Sequence, residues 1–377
     1  MTIHMFVRRI WLTALFIACV IGVTPARAQG LSAKSFSVTP DGTLKISLGA
    51  GNIHIATWEK GEVRINAVDN DNQLLMTQDG NTVVVKSSGD VDIQATIPSR
   101  FNIDLQCGSG DISIDGPLAG SLKGKTSGGG INLGNLSGTI TMSTSGGEIT
   151  GGNMRGKVSV VSAGGNLRLG NVEGDADLQT DGGDIDVKEV GKSVSASTSG
   201  GNVSVGKVGG SARLSTSGGD VEVGPVGGDC SLTSSGGNII VHGCEAKASA
   251  STAGGDLTLE NVAGSFSGST AAGNIEATLL SSGNSKRTDG SLASGGGNIR
   301  LVVSPTISAV ITARVHFTDR WQRDHDEEYI TSDFPAESYH KDDQSGEIIA
   351  TYRVNGGSGS ITLDASMGSI TIRKGAH

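Results

Sequence analysis

Gly182-Gly183-Asp184-Ile185-Asp186-Val187 is followed eighteen residues later by Gly200-Gly201-Asn202-Val203-Ser204-Val205, and then by Gly218-Gly219-Asp220-Val221-Glu222-Val223. Followed outward in both directions, the second position of this glycine pair falls at Gly129, Gly147, Gly165, Gly183, Gly201, Gly219, Gly237, Gly255 and Gly273. A period that never slips over this span makes each 18-residue unit one structural coil stacked on the next.

With that glycine as offset zero, aliphatic residues occupy offset 2 (Ile131 through Ile275), mostly offset 4 (Leu133, Val187, Val205, Val223), and offset 7 (Leu136, Val172, Val208, Val226). They return at offsets 11 and 13, as in Ile140 and Met142 or Ala212 and Leu214. Pairs two apart mark strands with one buried face, and glycine-rich breaks mark turns. The spacing of three and four that a helix needs is missing. The sequence therefore predicts an all-β, single-chain parallel β-solenoid with 18-residue coils, two strands per coil and two main sheets face to face. At about 4.8 Å between neighbouring strands, nine coils extend roughly 43 Å.

Two polar columns fit the same stack. Offset 15 carries a hydroxyl in every coil from Thr144 to Thr270. Offset 1 alternates from Asn166 through Asp184, Asn202, Asp220, Asn238, Asp256 and Asn274. Neighbouring aspartates at strand spacing would repel, so asparagine amides between them are expected to donate to the carboxylates above and below. A calcium-binding roll of this period has a third glycine and a second copy of its motif in each coil; both are missing here, and no cofactor is expected.

The chain starts with Arg8 and Arg9, an apolar run from Ile10 to Val23, and Ala26-Arg27-Ala28. This pattern predicts a secretory leader over residues 1–28, too short in its apolar part for a comfortable membrane span. Export to the periplasm, cell surface or medium follows, with no transmembrane span in the mature chain. Loss of Arg8, Arg9 and Arg27 with the leader takes the formal charge from −9 to −12. Such an acidic surface argues against nucleic acid as a partner. Cys230 at offset 11 and Cys244 at offset 7 of the next coil flank one turn and are a candidate disulfide, with two buried small hydrophobes as the other reading.

Residues 29–107 alternate like strands without the 18-residue period, and are expected to cap the open end of the solenoid, with Gly51, Gly89 and Gly110 opening irregular first coils. Coils are expected over 108–303. A second cap spans 304–377 and holds a charged aromatic insertion at 316–352. The strands after Gly357 and Gly368 are expected to close the rod.

Gly51-Asn52-Ile53-His54-Ile55, Glu62-Val63-Arg64-Ile65, Ile97-Pro98-Ser99-Arg100, the Thr-Ser-Gly-Gly coils and the closing Gly357-Ser358-Gly359-Ser360-Ile361 resemble a bacterial family of β-strand-repeat proteins. That family bears the name putative adhesin and is a domain of unknown function. The resemblance implies a fold and an exported, adhesin-like role; it brings no catalytic motif.

No nucleophile elbow, phosphate loop or zinc-protease motif occurs in the sequence, and the outward offsets 12 and 14 are mostly serine and threonine, poor acids and bases at neutral pH. The expectation is a protein that is not an enzyme, acting as a binding module for envelope glycan or a surface protein. A structural spacer without a ligand is the alternative, and a carbohydrate-active enzyme the outsider. Trp321, Tyr329, Phe334 and Tyr339 are the candidate binding residues, since sugar recognition favours aromatic platforms; a capping hairpin whose aromatics pack on the solenoid end is the other reading. A metal site among His316, His325, His340, Asp324 and Asp326 lacks any defining spacing. The sequence leaves oligomeric state and handedness open.

Overall fold

The computed structural model describes residues 30–69, 74–280, 288–316, 329–342 and 344–375. The described residues are all β, and the strands pair in parallel at a shift of one coil. Ile185 aligns with Val203 and then Val221, while Val194 aligns with Ala212 and then Cys230. Each coil thus supplies one strand to a first ladder at offsets 2–4 and one to a second ladder at offsets 11–15. Side chains alternate inward and outward along both, so Val203, Val205, Ala212 and Leu214 are buried while Arg213 is exposed. A third column of parallel bridges runs at offset 7 through Val208, Val226, Cys244 and Val262. Stacked aliphatic side chains fill the space between the ladders as one continuous core.

The corners explain the polar columns. A Cβ on Gly201 would strike the carbonyl oxygen of Gly183 one coil below, and the same holds along the column from Gly147 to Gly273, so glycine is required by close approach of backbone. Beside it, the offset-15 hydroxyl is buried. Thr198 Oγ1 donates to the Gly183 carbonyl at 2.8 Å and accepts from the Gly201 N–H at 3.4 Å. The offset-1 ladder differs from the expected amide-to-carboxylate chain. Each side-chain oxygen accepts the backbone N–H of the next residue up: Asp184 N to Asn166 Oδ1, Asn202 N to Asp184 Oδ1 and Asp220 N to Asn202 Oδ1, all at 2.8 Å. Asp and Asn serve equally as acceptors, and alternation halves the column's charge.

Nine strands precede Gly129: β1 (Gly30–Ser37), β2 (Thr43–Ala50), β3 (Ile53–Trp58), β4 (Glu62–Asp69), β5 (Leu75–Asp79), β6 (Thr82–Pro98), β7 (Asn102–Cys107), β8 (Ile112–Ile114) and β9 (Leu118–Thr126). Sequence order is broken here. β2 lies between β6 and β7, and β3 between β6 and β8, all parallel. β6 spans both ladders as the outermost rung. β4 and β5 then pair antiparallel with its two halves, and β1 pairs antiparallel with β4.

The far end mirrors this arrangement. Gly359–Ala365 lies between Gly290–Ser294 and Ala309–His316, and Ile370–Lys374 lies between Ile299–Val303 and Ile330–Ser332. The closing strands of the sequence therefore sit one rung inside the end, not at it as the sequence suggested. Glu347–Val354 and then Ala336–Asp342 pair antiparallel outside Ala309–His316. Counting three rungs beyond the nine coils at each end, the parallel stack has fifteen rungs and spans about 72 Å at the usual strand spacing. No helix among the described residues is long and apolar enough to cross a membrane. The leader lies outside the described residues.

Candidate functional site

A groove of about 780 Å³ lies at the corner between the two ladders, near the N-terminal end. It crosses successive rungs because the corner positions repeat. Offset 6 places Asn135, Asn153 and Asn171 one above another, with Glu189 next in register after Asn171. Leu118, Leu136 and Val172 are buried beneath as an apolar floor. Offset 8 adds Ser137, Arg155 and Glu173 along the other wall, and the cap contributes Glu59, Ser99 and Arg100 at one end.

The groove's charges are mostly fixed by partners in the protein. Arg155 Nε donates to Glu173 Oε1 at 2.9 Å, and Arg100 grips Asp41 through two bonds of 2.7 and 2.8 Å. The asparagine column starts as a ladder, with the Asn153 N–H donating to Asn135 Oδ1 at 3.0 Å. It stops at Asn171, whose Oδ1 is shielded from solvent and has no hydrogen-bond partner. A buried acceptor without a donor costs about 1–3 kcal/mol. A site of this size, with an apolar floor and a few polar groups, has the character of a small-ligand or chain-binding groove.

A second charged feature lies on the outer face of the first ladder. His242 is held between Glu260, 2.8 Å from Nδ1, and Glu222, 3.0 Å from Nε2, so one imidazole links three consecutive coils. The bond to Glu260, followed by that to Glu222, raises the His242 pKa above its ordinary value. Among the described residues no group of three His, Cys, Asp or Glu is placed to hold a metal ion.

The aromatic candidates from the C-terminal segment are dispersed. Trp321 lies outside the described residues, as do His325, Asp324 and Asp326. Tyr329 and Phe334 are partly buried against the core, and Lys374 Nζ sits 5.2 Å from the Phe334 ring centre. Tyr339 is half exposed on the edge strand Ala336–Asp342. The remaining tyrosine, Tyr352, is buried, which pushes its pKa up. His316 faces Asp364 at 3.7 Å and Glu347 at 4.0 Å, while His340 lies on the edge strand. Cys230 and Cys244 are both buried free thiols, as is Cys107. Sequence reading missed the asparagine column. Its signal was the recurrence of Asn at one offset in three adjacent coils, masked because asparagine is also a common turn residue.

No curated protein matches the sequence. Among solved structures, the chain resembles a putative adhesin from Bacteroides fragilis at 14% identity, with 92% of this chain and 98% of that chain covered and a TM-score of 0.22. A putative adhesin from Parabacteroides distasonis matches at 11% identity, covering 74% and 98%, with a TM-score of 0.26. A putative cell adhesion protein from Clostridium sporogenes matches at 10% identity, covering 92% and 100%, with a TM-score of 0.16. These values carry no argument about function; the fold rests on the strand pairing above. The resemblance read from the sequence is met at the N-terminal end of the rod, where residues 31–126 match the family model Toastrack DUF4097, a domain of unknown function.

Proposed function

We propose that this chain is a non-catalytic, exported binding module of the bacterial envelope, and that it receives an extended envelope glycan along the corner groove. The carrying observation is the groove itself: it runs across several rungs and has an apolar floor and an amide column. Hydroxyl-rich chains both donate and accept hydrogen bonds, as the side-chain amides along the groove do. The paired charges of Arg155 and Glu173 leave the wall polar without a strong net field, which suits a weakly charged polymer better than a nucleic acid. The word adhesin in the names of the solved structures agrees with this reading and does not carry it.

Retention of the purified mature chain on insoluble peptidoglycan and on capsular polysaccharide tests the proposal. Wild type is expected to be retained, and Asn171→Leu with Arg155→Ala to lose most of that retention at an unchanged melting temperature. Equal retention of both proteins would reject the groove, and retention of neither would leave the spacer reading. Sugar release from either polymer would overturn the non-catalytic assignment.

A further inference from the structure

Offset 11 of one coil meets offset 7 of the next at the inner side of a corner. In successive coils these positions are Ala176 and Val190, Val194 and Val208, Ala212 and Val226, Cys230 and Cys244, then Ala248 and Val262. Apolar residues fill both columns, and both depart from that pattern at the same contact. Two cysteines used only as small hydrophobes have no reason to coincide there. The structure brings the pair together: both side chains are buried, and the Cys244 thiol donates at 3.4 Å to the carbonyl oxygen of Gly228, two residues before Cys230. Cys107 is remote in the stack, on β7, with its sulfur 3.1 and 3.0 Å from the carbonyls of Gly51 and Ser109.

We propose that Cys230 and Cys244 are an oxidation site that closes into an inter-coil disulfide when the chain folds in the presence of a thiol–disulfide oxidant. The proposal draws only on the exported character of the functional reading and is independent of the groove. Either thiol can open the exchange as its thiolate. Where Cys244 goes first, its thiolate attacks one sulfur of the oxidant's disulfide, forming a mixed disulfide and releasing the other sulfur as a thiolate. The Cys230 thiolate then attacks the Cys244 sulfur and displaces the oxidant's second thiolate. Two thiol protons leave, and the oxidant takes up two electrons as a dithiol. Both sulfurs are buried in the finished stack, so the reaction belongs to folding, before the next coils cover the corner.

Refolding of the reduced full chain with oxidised glutathione, followed by alkylation under denaturing conditions and peptide mapping, tests this without depending on export. The expected result is an alkylated Cys107 and a linked peptide joining Cys230 to Cys244, separated only by reductant. The oxidised protein should also unfold at higher urea than the reduced one, and Cys230→Ser should leave Cys244 open to alkylation. Alkylated Cys230 and Cys244 in the wild type, or either one joined to Cys107 or to glutathione, would overturn the proposal.

Discussion

Between Gly129 and Gly273 the order of residues along the sequence is their order along the rod, whereas at both ends that order is broken. In the body every coil rests on the one before it, and all ladder pairing is parallel at a constant shift. At the N-terminal end β2 and β3 sit beneath β6, which follows them in sequence. At the C-terminal end the last two strands sit beneath Ala309–His316 and Ile330–Ser332, which precede them. Antiparallel strands then cover β6 at one end and Ala309–His316 at the other. The difference shows two solutions to one problem. A repeat satisfies its backbone by copying itself, and a terminus must stop copying without leaving an open parallel edge. Tucking β2, β3 and the last two strands inward lets antiparallel strands form the outer edge over β6 and over Ala309–His316.

The comparison is broken most forcefully by a charge in the body. Val205 is buried in the stacked core, so Val205→Asp should cost at least about 4 kcal/mol and unfold the rod, whereas Ser215→Asp on the outward side should stay within about 0.5 kcal/mol. Equal melting temperatures for the two would show that the inward and outward offsets are wrongly assigned. A smaller loss is expected from Thr180→Val. It keeps the shape of a buried side chain but removes the hydroxyl that serves Gly165 O at 2.8 Å and the Gly183 N–H at 3.4 Å, for about 1–3 kcal/mol in urea unfolding. A neutral result would mean that the corner hydroxyls are incidental.

The ends are sharpened by a change in association instead of stability. The outermost strand Ala336–Asp342 carries Glu337, His340, Lys341 and Asp342 and is largely exposed. Glu337→Val with Lys341→Val should raise the light scattering of concentrated samples, since charges on an edge strand oppose pairing between molecules. The double change Ser249→Val with Ser251→Val on the body should do so less. The smallest effect concerns pH. A raised pKa for His242 means that its two glutamate bonds stabilise the fold fully below about pH 6.5, the usual unfolded value, and lose that contribution as pH rises through the folded value. The advantage of wild type over His242→Gln in urea midpoint should therefore shrink from pH 6 to pH 9, within about 1 kcal/mol for so exposed a cluster. A constant difference across that range would contradict the assignment.

Periodicity made the body legible. Each aliphatic at offsets 2, 4, 7, 11 and 13 belongs to a column, and one wrong residue cannot hide the period. The ends were not legible for a physical reason. Gly359-Ser360-Ile361-Thr362-Leu363 has the alternation of a strand that fits any rung, and nothing local to it states that Ser291, far back in the sequence, is its neighbour. The hydroxyl at offset 15 was recognised as a column, but its burial was not. A serine or threonine beside a turn reads the same whether it faces water or a glycine carbonyl. The candidate site divides in the same way. Tyr329 and Phe334 stand out by composition and prove to pack against the core. Asn135, Asn153 and Asn171 gain meaning only once the coils are stacked and the groove exists.

The out-of-sequence rung at the C-terminal end is the claim most directly open to measurement. With Cys107, Cys230 and Cys244 replaced by alanine, cysteines are introduced at Ser291 and Thr362, which are aligned neighbours, or at Ser291 and Thr312, which lie two rungs apart. A disulfide needs Cα atoms about 4.4–6.8 Å apart, close to one strand spacing and well short of two. Mild oxidation should therefore link Ser291→Cys to Thr362→Cys and leave the pair at Ser291 and Thr312 open. A link between Ser291 and Thr312, with none between Ser291 and Thr362, would mean that the stack follows the sequence to its end.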